Sequence, residues 1–233
     1  MTWRTLRDFL LDLLFPPRCV GCGKVGVWVC QECLGGIRFI EEPRCGICGC
    51  PVDEGALCEH CANSQHSVDR IITVTDFSDL IQEMIHRFKY NQCTALAEPL
   101  VGLMFRYWVQ HPLQVDCIIP VPLHPRRLQE RGYNQAALLA EGLGERLGIP
   151  VLLDVLVRIK YTKPQVGLTA EERKENVRGA FACPHKTLIG KSVLLVDDVC
   201  TTGATLEACS VALKTAGATR VLGFTLARPM LGP

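Results

Sequence analysis

Hydrophobic positions along the chain change their spacing several times, and each change predicts a different kind of element. Leu6, Phe9, Leu10, Leu13 and Leu14 follow helical spacing and predict a short amphipathic helix over residues 3 to 14. It is expected to pack on the protein's own surface, because Asp8 and Asp12 do not suit an anionic lipid surface. From Cys19 to Cys61 cysteine and glycine replace large apolar residues, so this stretch cannot build much of a core. Near Ser67 the pattern changes. "VDRIITVTDF" reads as a strand, and Ile81, Met84, Ile85 and Phe88 then form a helical stripe. "VDCIIPVPL" is a buried strand followed by a Pro- and Arg-rich loop. Ala136, Leu139, Ala140, Leu143 and Leu147 mark a further helix, weakened by Gly142 and Gly144. Ile149 to Val157 can hold a short strand. Residues 160 to 181 are polar and loop-like, with Thr169 and Glu172 spaced as a capping box. The last third holds the strand of "VLLVDDVCTTGATL", a helix carrying Cys209, Ala212, Leu213 and Ala216, and a closing strand "RVLGFTLA". Strands alternating with helices predict an α/β fold, a parallel sheet with helices on both faces. A smaller Cys-rich domain precedes it, and the boundary divides residues 1–66 from 67–233.

Composition narrows the classes. The chain has 233 residues, 48% hydrophobic and 21% charged, an ordinary balance for a globular protein. A net charge of +1 supplies no overall pull toward nucleic acid or membrane, so such binding needs a local patch. Nine of the 14 cysteines lie between Cys19 and Cys61. A disulfide framework would require export, and "MTWRTLRDFLLDLLFPP" is a poor signal peptide: Asp12 interrupts its apolar run and Pro-Pro ends it. No apolar stretch reaches the roughly 18 residues of a spanning helix. A cytoplasmic protein with reduced thiols and no membrane span is the expectation.

Four C-x-x-C pairs occur: Cys19/Cys22, Cys30/Cys33, Cys45/Cys48 and Cys58/Cys61. Two residues between thiolates let both sulfurs reach one Zn²⁺ from a tight turn, and two such pairs complete a tetrahedral site. Sequential pairing gives two tandem minimal hairpins and is favoured; interleaved pairing, first with third and second with fourth, stays open. Redox motifs or plain buried cysteines are the competing readings, and four pairs in so short a segment weigh against both. A structural Zn²⁺ contributes roughly 10–16 kcal/mol to folding, more than this segment could draw from apolar burial. With thiolates filling every ligand position, none is left for catalysis. Cys50 has no assigned partner.

The strand at Val193–Val196 ends in two carboxylates, Asp197 and Asp198, followed by Thr201, Thr202, Gly203, Ala204 and Thr205. Ligands of parallel α/β sheets bind at the carboxyl ends of strands. Hydroxyls, a glycine and free N–H groups leading into a helix make a phosphate cradle, while two carboxylates suit a vicinal diol or Mg²⁺. A ligand with both features is a sugar phosphate, and ribose 5-phosphate fits best.

"VLLVDDVCTTGATL" resembles the phosphoribosyl-pyrophosphate (PRPP) motif of type I phosphoribosyltransferases. Together with "PVPLHPRRLQERGYNQA", "KPQVGLTAEERKENVRGAF" and the cysteine pairs, nearly the full chain resembles the ComF family. That family joins a double zinc ribbon to a phosphoribosyltransferase domain and includes competence proteins for DNA uptake. The resemblance implies a type I phosphoribosyltransferase fold, structural Zn²⁺ and PRPP bound with Mg²⁺. It also implies single-stranded DNA and a competence helicase as partners. It assigns Asp197 and Asp198 to the ribose hydroxyls and Thr201 to Thr205 to the 5-phosphate. Arg126 and Arg127, in a diphosphate loop at residues 121 to 127, would face the diphosphate, with Lys163 closing from a flexible loop at about 160 to 178. Cys200 is an incidental thiol, and Lys89-Tyr90 fits the family pattern without an evident role. No convincing general base stands out, and oxocarbenium-like loss of diphosphate can proceed by positioning and charge stabilisation. Three functions remain open: a transferase with an unread acceptor, a non-catalytic PRPP-responsive regulator, or a single-stranded-DNA factor using Arg126, Arg127, Arg131 and Tyr133.

Overall fold

A computed structural model of the chain describes residues 16–53, 57–91, 93–163, 167–184 and 188–229. The helix expected over residues 3 to 14 lies outside them. Downstream of the cysteine segment the chain runs β1 (Arg70–Asp76), α1 (Asp79–Tyr90), α2 (Ala97–Gln110), β2 (Cys117–Pro120), α3 (Pro125–Arg131) and α4 (Gln135–Leu147). It continues through β3 (Val157–Arg158), α5 (Ala170–Val177), β4 (Phe181–Ala182), β5 (Ser192–Val199), α6 (Ala204–Thr215) and β6 (Arg220–Arg228). Four strands form one sheet in the order β1-β6-β5-β2, every pairing parallel. β3 and β4 pair antiparallel as a separate ribbon.

The run Val193–Val196 is unbroken because both faces of β5 are covered. Leu194 and Val196 join a core with Ile81, Phe88, Leu103 and Leu143 from α1, α2 and α4. Val193 and Leu195 face the opposite way, into a core with Leu206, Cys209 and Leu213 of α6. The helix after β5 therefore covers one face and α4, after β2, covers the other. Neighbouring strands whose connections leave to opposite faces open a crevice at their carboxyl ends. Asp197, at the end of β5, and the segment beginning at Val121 flank that crevice.

Several expectations need correction. α2 is absent from the sequence reading, although Leu100, Val101, Leu103, Met104, Tyr107 and Trp108 form a buried helical stripe. The Arg-rich segment after β2 is not all loop, since α3 begins with Pro125 at its first position. Proline there costs no hydrogen bond and has the right φ, while His124 Nδ1 accepts from Arg126 N at 3.3 Å. Within the loop expected at 160 to 178, α5 carries the full capping box of Thr169 and Glu172. Of the strand expected at Ile149–Val157, a bridge from Val151 to Ile118 and the start of β3 are present. Gly142 and Gly144 are close-packing positions rather than weak points. A Cβ at Gly142 would sit 2.9 Å from Val101 Cγ2, and one at Gly144 would collide with Val151.

Candidate functional site

Consecutive strand residues point to opposite faces, so the two carboxylates at the end of β5 diverge. Asp198 turns toward α1 and α4. Its Oδ1 lies 2.8 Å from Lys89 Nζ, and its Oδ2 is 3.5 Å from Gln135 Nε2. Asp198 is only 6% exposed, not the open strand-end group that a diol-binding pair would need on both sides. Lys89 thereby neutralises a buried carboxylate, a role that the sequence left unassigned. Asp197 turns the other way. Its Oδ1 accepts from the Asp198 amide at 2.9 Å, and among the described residues it has no ion pair. Desolvation first, and the charge of Asp198 second, raise its pKa from 3.8 to about 7, against the opposing pull of Lys89 and Arg158.

Beyond Val199 the chain passes buried Cys200 and partly buried Thr201 and Thr202 to Gly203, which precedes α6 at φ 81. No side chain caps α6 from the Gly203 position, although Ala204 N lies 3.4 Å from Thr202 Oγ1. A 12-residue helix thus presents its amino end beside the carboxylates, where its dipole favours an anion.

Arg127 and Arg158 converge from the opposite wall. Arg127 Nη2 donates to the Thr162 carbonyl at 3.0 Å, and Arg158 Nη2 donates to the Thr162 hydroxyl. Burial, then the neighbouring Arg127 charge, lowers the pKa of Arg158. Arg158 is also close enough to Asp197 for each to affect the other's titration. Its Nε is buried without a hydrogen-bond partner, and neither guanidinium has a carboxylate ion pair among the described residues. Two neighbouring cations with no ion pair among the described residues suit an anion carrying more than one charge. Arg158 escaped the sequence reading because it sits on a two-residue strand with no motif around it. Arg126 stacks over Tyr161 at 5.4 Å. Lys163 is exposed, and its backbone is held by Asn176 from both sides at 3.2 and 3.0 Å. Tyr133 is no open stacking platform, since its hydroxyl donates to the Phe88 carbonyl and its ring packs on Phe88.

The cysteines gather into two quartets, Cys19/Cys22/Cys30/Cys33 and Cys45/Cys48/Cys58/Cys61, each with all sulfurs within 4.8 Å of one another. Pairing is sequential. Cys22 and Cys30 sulfurs are 3.6 Å apart and those of Cys48 and Cys58 3.7 Å. Zinc–sulfur arms of ~2.3 Å set a tetrahedral edge of about 3.8 Å, so both quartets fit Zn²⁺. Burial opposes the charged form of Cys19 and Cys45. Amide donors, led by Cys22 N for Cys19 and Cys58 N for Cys45, outweigh it and hold each thiol at about 6. The first unit packs through Val20, Val29, Leu34 and Ile37 onto the core of α1 and α2. The second is tied to the sheet by polar groups. Arg44 donates to the carbonyls of Thr73 at 2.8 Å, Glu41 at 3.1 Å and Ile40, while Ile71 N donates to the Ile47 carbonyl at 2.6 Å.

Comparison with known proteins finds two domain types in the chain. Residues 10–62 match a double zinc ribbon domain and residues 130–230 a phosphoribosyl transferase domain. The parallel sheet with flanking helices is thus a type I phosphoribosyltransferase fold preceded by a double zinc ribbon. Competence protein F of Haemophilus influenzae is 34% identical, covering 91% of this chain and 96% of that protein. DNA utilization protein YhgH of Escherichia coli is 31% identical, over 88% of this chain and 93% of that protein. Competence protein ComFC of Bacillus subtilis is 28% identical, over 98% of this chain and 90% of that protein. The chain belongs to the ComF family of competence proteins. No helix among its described residues is long and apolar enough to cross a membrane.

Proposed function

We propose that the crevice between β2 and β5 binds PRPP together with Mg²⁺ and serves phosphoribosyl transfer in DNA uptake or utilisation. The observation that carries this reading is the convergence of Arg127 and Arg158, free of ion pairs among the described residues, on the side of β5 where Asp197 faces. On this reading the arginines hold the diphosphate and Asp197 meets the ribose hydroxyls. Thr201, Thr202, Gly203, Ala204 and Thr205 receive the 5-phosphate at the amino end of α6. Arg126 and Lys163 add charge at the rim, and Mg²⁺ arrives with the diphosphate. Asp198 acts behind the site, held by Lys89. The acid strength of Asp197 places it near neutrality, so it is the group best able to take a proton from an acceptor. Calorimetric titration with PRPP and Mg²⁺, followed by a screen for diphosphate release with candidate acceptors, tests the reading. Binding that Arg158→Ala weakens by roughly a hundredfold is expected, the loss of one or two charge-assisted contacts. No heat of binding in the wild-type protein would overturn it.

A second reading, single-stranded-DNA handling, is favoured by two exposed tyrosines at opposite ends of α3. Tyr161 lies under Arg126 and Arg127 at 5.4 and 5.9 Å, and Tyr90 lies under Arg131 at 5.3 Å. Exposed aromatic faces beside guanidiniums are what base stacking on a single strand requires. Arg126 and Arg127 would serve both ligands, so PRPP should displace an oligothymidylate measured by fluorescence anisotropy. Tyr90→Ala with Tyr161→Ala should weaken that binding. Unchanged anisotropy in the double variant would remove this second reading.

A further inference from the structure

Arg228, the last residue of β6, is 5% exposed and joins two parts of the molecule with different chemistry. Its Nη1 donates to the carbonyl of Cys48, a ligand position of the second quartet. Its Nη2 donates to Cys200 Sγ at 3.4 Å. Cys200 is the first residue after β5, its amide donates to the Ala227 carbonyl at 3.0 Å, and Thr201 follows directly. A second path runs through β1. Gly49 packs on Ile71, where a Cβ would collide with the Ile71 carbonyl. Gly203 packs on the same residue, its would-be Cβ 3.0 Å from Ile71 Cδ1. The second cysteine knuckle and the loop 200–203 thus grip Ile71 and Arg228 from two sides. The first quartet makes no described hydrogen bond to this loop.

We propose that Arg228 is a positioning residue that makes the shape of the loop 200–203, and hence its grip on a phosphate, depend on the metal-bound state of the second quartet and not of the first. A Zn²⁺ bound by four thiolates carries a net charge of two minus, which suits a buried guanidinium hydrogen-bonded to one ligand's carbonyl. Without the metal the Cys48 carbonyl loses its frame, and the buried cation loses its fixed acceptor. Cys200, an incidental thiol on sequence alone, is the contact through which this reaches the loop. That the loop grips the phosphate of PRPP rests on the function proposed above; that Arg228 positions it does not.

The test reads amide hydrogen exchange over residues 199–206 in the ligand-free full chain, with zinc content and PRPP–Mg²⁺ titration alongside. Arg228→Met should keep both zinc ions, exchange faster over this segment, and bind PRPP roughly tenfold more weakly. Cys48→Ser should lose one zinc and reproduce the faster exchange, whereas Cys22→Ser should lose one zinc and leave the segment unchanged. If Arg228→Met fails to fold, a glycine pair carries the test. Gly49→Ala forces a Cβ onto Ile71, while Gly23→Ala imposes a similar positive φ with nothing within 4 Å. Faster exchange with Gly49→Ala alone supports the coupling. Equal exchange in Cys48→Ser and Cys22→Ser, or in the two glycine variants, overturns it. Segment exchange that responds as expected in a protein that binds no PRPP would leave the coupling standing and remove only the ligand assignment.

Discussion

On one side of the β5 terminus Asp198 meets Lys89 at 2.8 Å and is enclosed with Gln135; on the other, Asp197 shares its space with Arg158 and has no ion pair among the described residues. The two are neighbours in sequence and alike in chemistry. Strand geometry alone separates them, sending one carboxylate into a structural ion pair and the other to the opposite face, beside Arg158. An acidic dipeptide at a strand end is therefore not one clamp but two sites, and each answers to a different experiment.

The largest effect is expected from taking away the cation. Lys89→Met leaves Asp198 buried and unpaired, which costs about 3 kcal/mol, near the low end for a broken buried pair because Lys89 is 22% exposed. Asp198→Asn should cost somewhat less, since the orphaned lysine can reach solvent. Thermal melts check the pair, and a variant as stable as wild type would mean that Asp198 is not structural.

Asp197→Asn should do the reverse. The folded protein holds a proton on Asp197 up to about pH 7 that the unfolded chain releases near 3.8. Stability from the neutral carboxyl is therefore full below the unfolded value and lost as pH rises through 7. The amide escapes that loss, so the variant should match wild type at the acid end and gain on it with rising pH. At pH 8 the apo protein should melt higher by roughly 5 °C, while PRPP binding is lost. An advantage that shrinks with pH would show a cation pairing Asp197 and would collapse the distinction between the two carboxylates. The smallest effect belongs to Gln135→Leu. Its bond to Asp198 is long at 3.5 Å and its Oε1 is buried without a partner, so losing both should be nearly neutral, within about 1 kcal/mol. A clear drop in melting temperature would mean that Gln135 shares the work of Lys89.

Much of this architecture is legible in the residues. The stripe Ile81, Met84, Ile85 and Phe88 is buried as helical spacing requires, and the C-x-x-C pairs close in sequential order because a tight turn already brings two sulfurs together. The acidic pair is legible as the carboxyl end of a buried strand, but the divergence of its side chains is not, since that depends on which helix covers each face. Arg158, Arg228 and Gln135 carry no local signal at all. Their surroundings come from contacts that only the closed fold creates: the Arg228–Cys48 and Gln135–Asp198 bonds span 180 and 63 residues. Glycine misleads in α4, where helix propensity predicts weakness and close packing against Val101 and Val151 is the reason for its presence.

The position of β1 at the edge of the four-stranded sheet, with β6 as its partner strand, has a kinetic consequence. Thr73 and Thr225 share a hydrogen bond at 2.9 Å across 152 residues of chain, and every rung of that ladder is as remote. Closing so long a loop is a slow, late event in folding. During synthesis β1 emerges early and must wait for nearly the whole chain before its partner exists. In the meantime its other edge has local company: Phe39 bridges to Thr75, and Ile71 N reaches the Ile47 carbonyl. The cysteine segment that precedes β1 is thus placed to act as its first chaperone, shielding an exposed strand until residues 220–228 arrive.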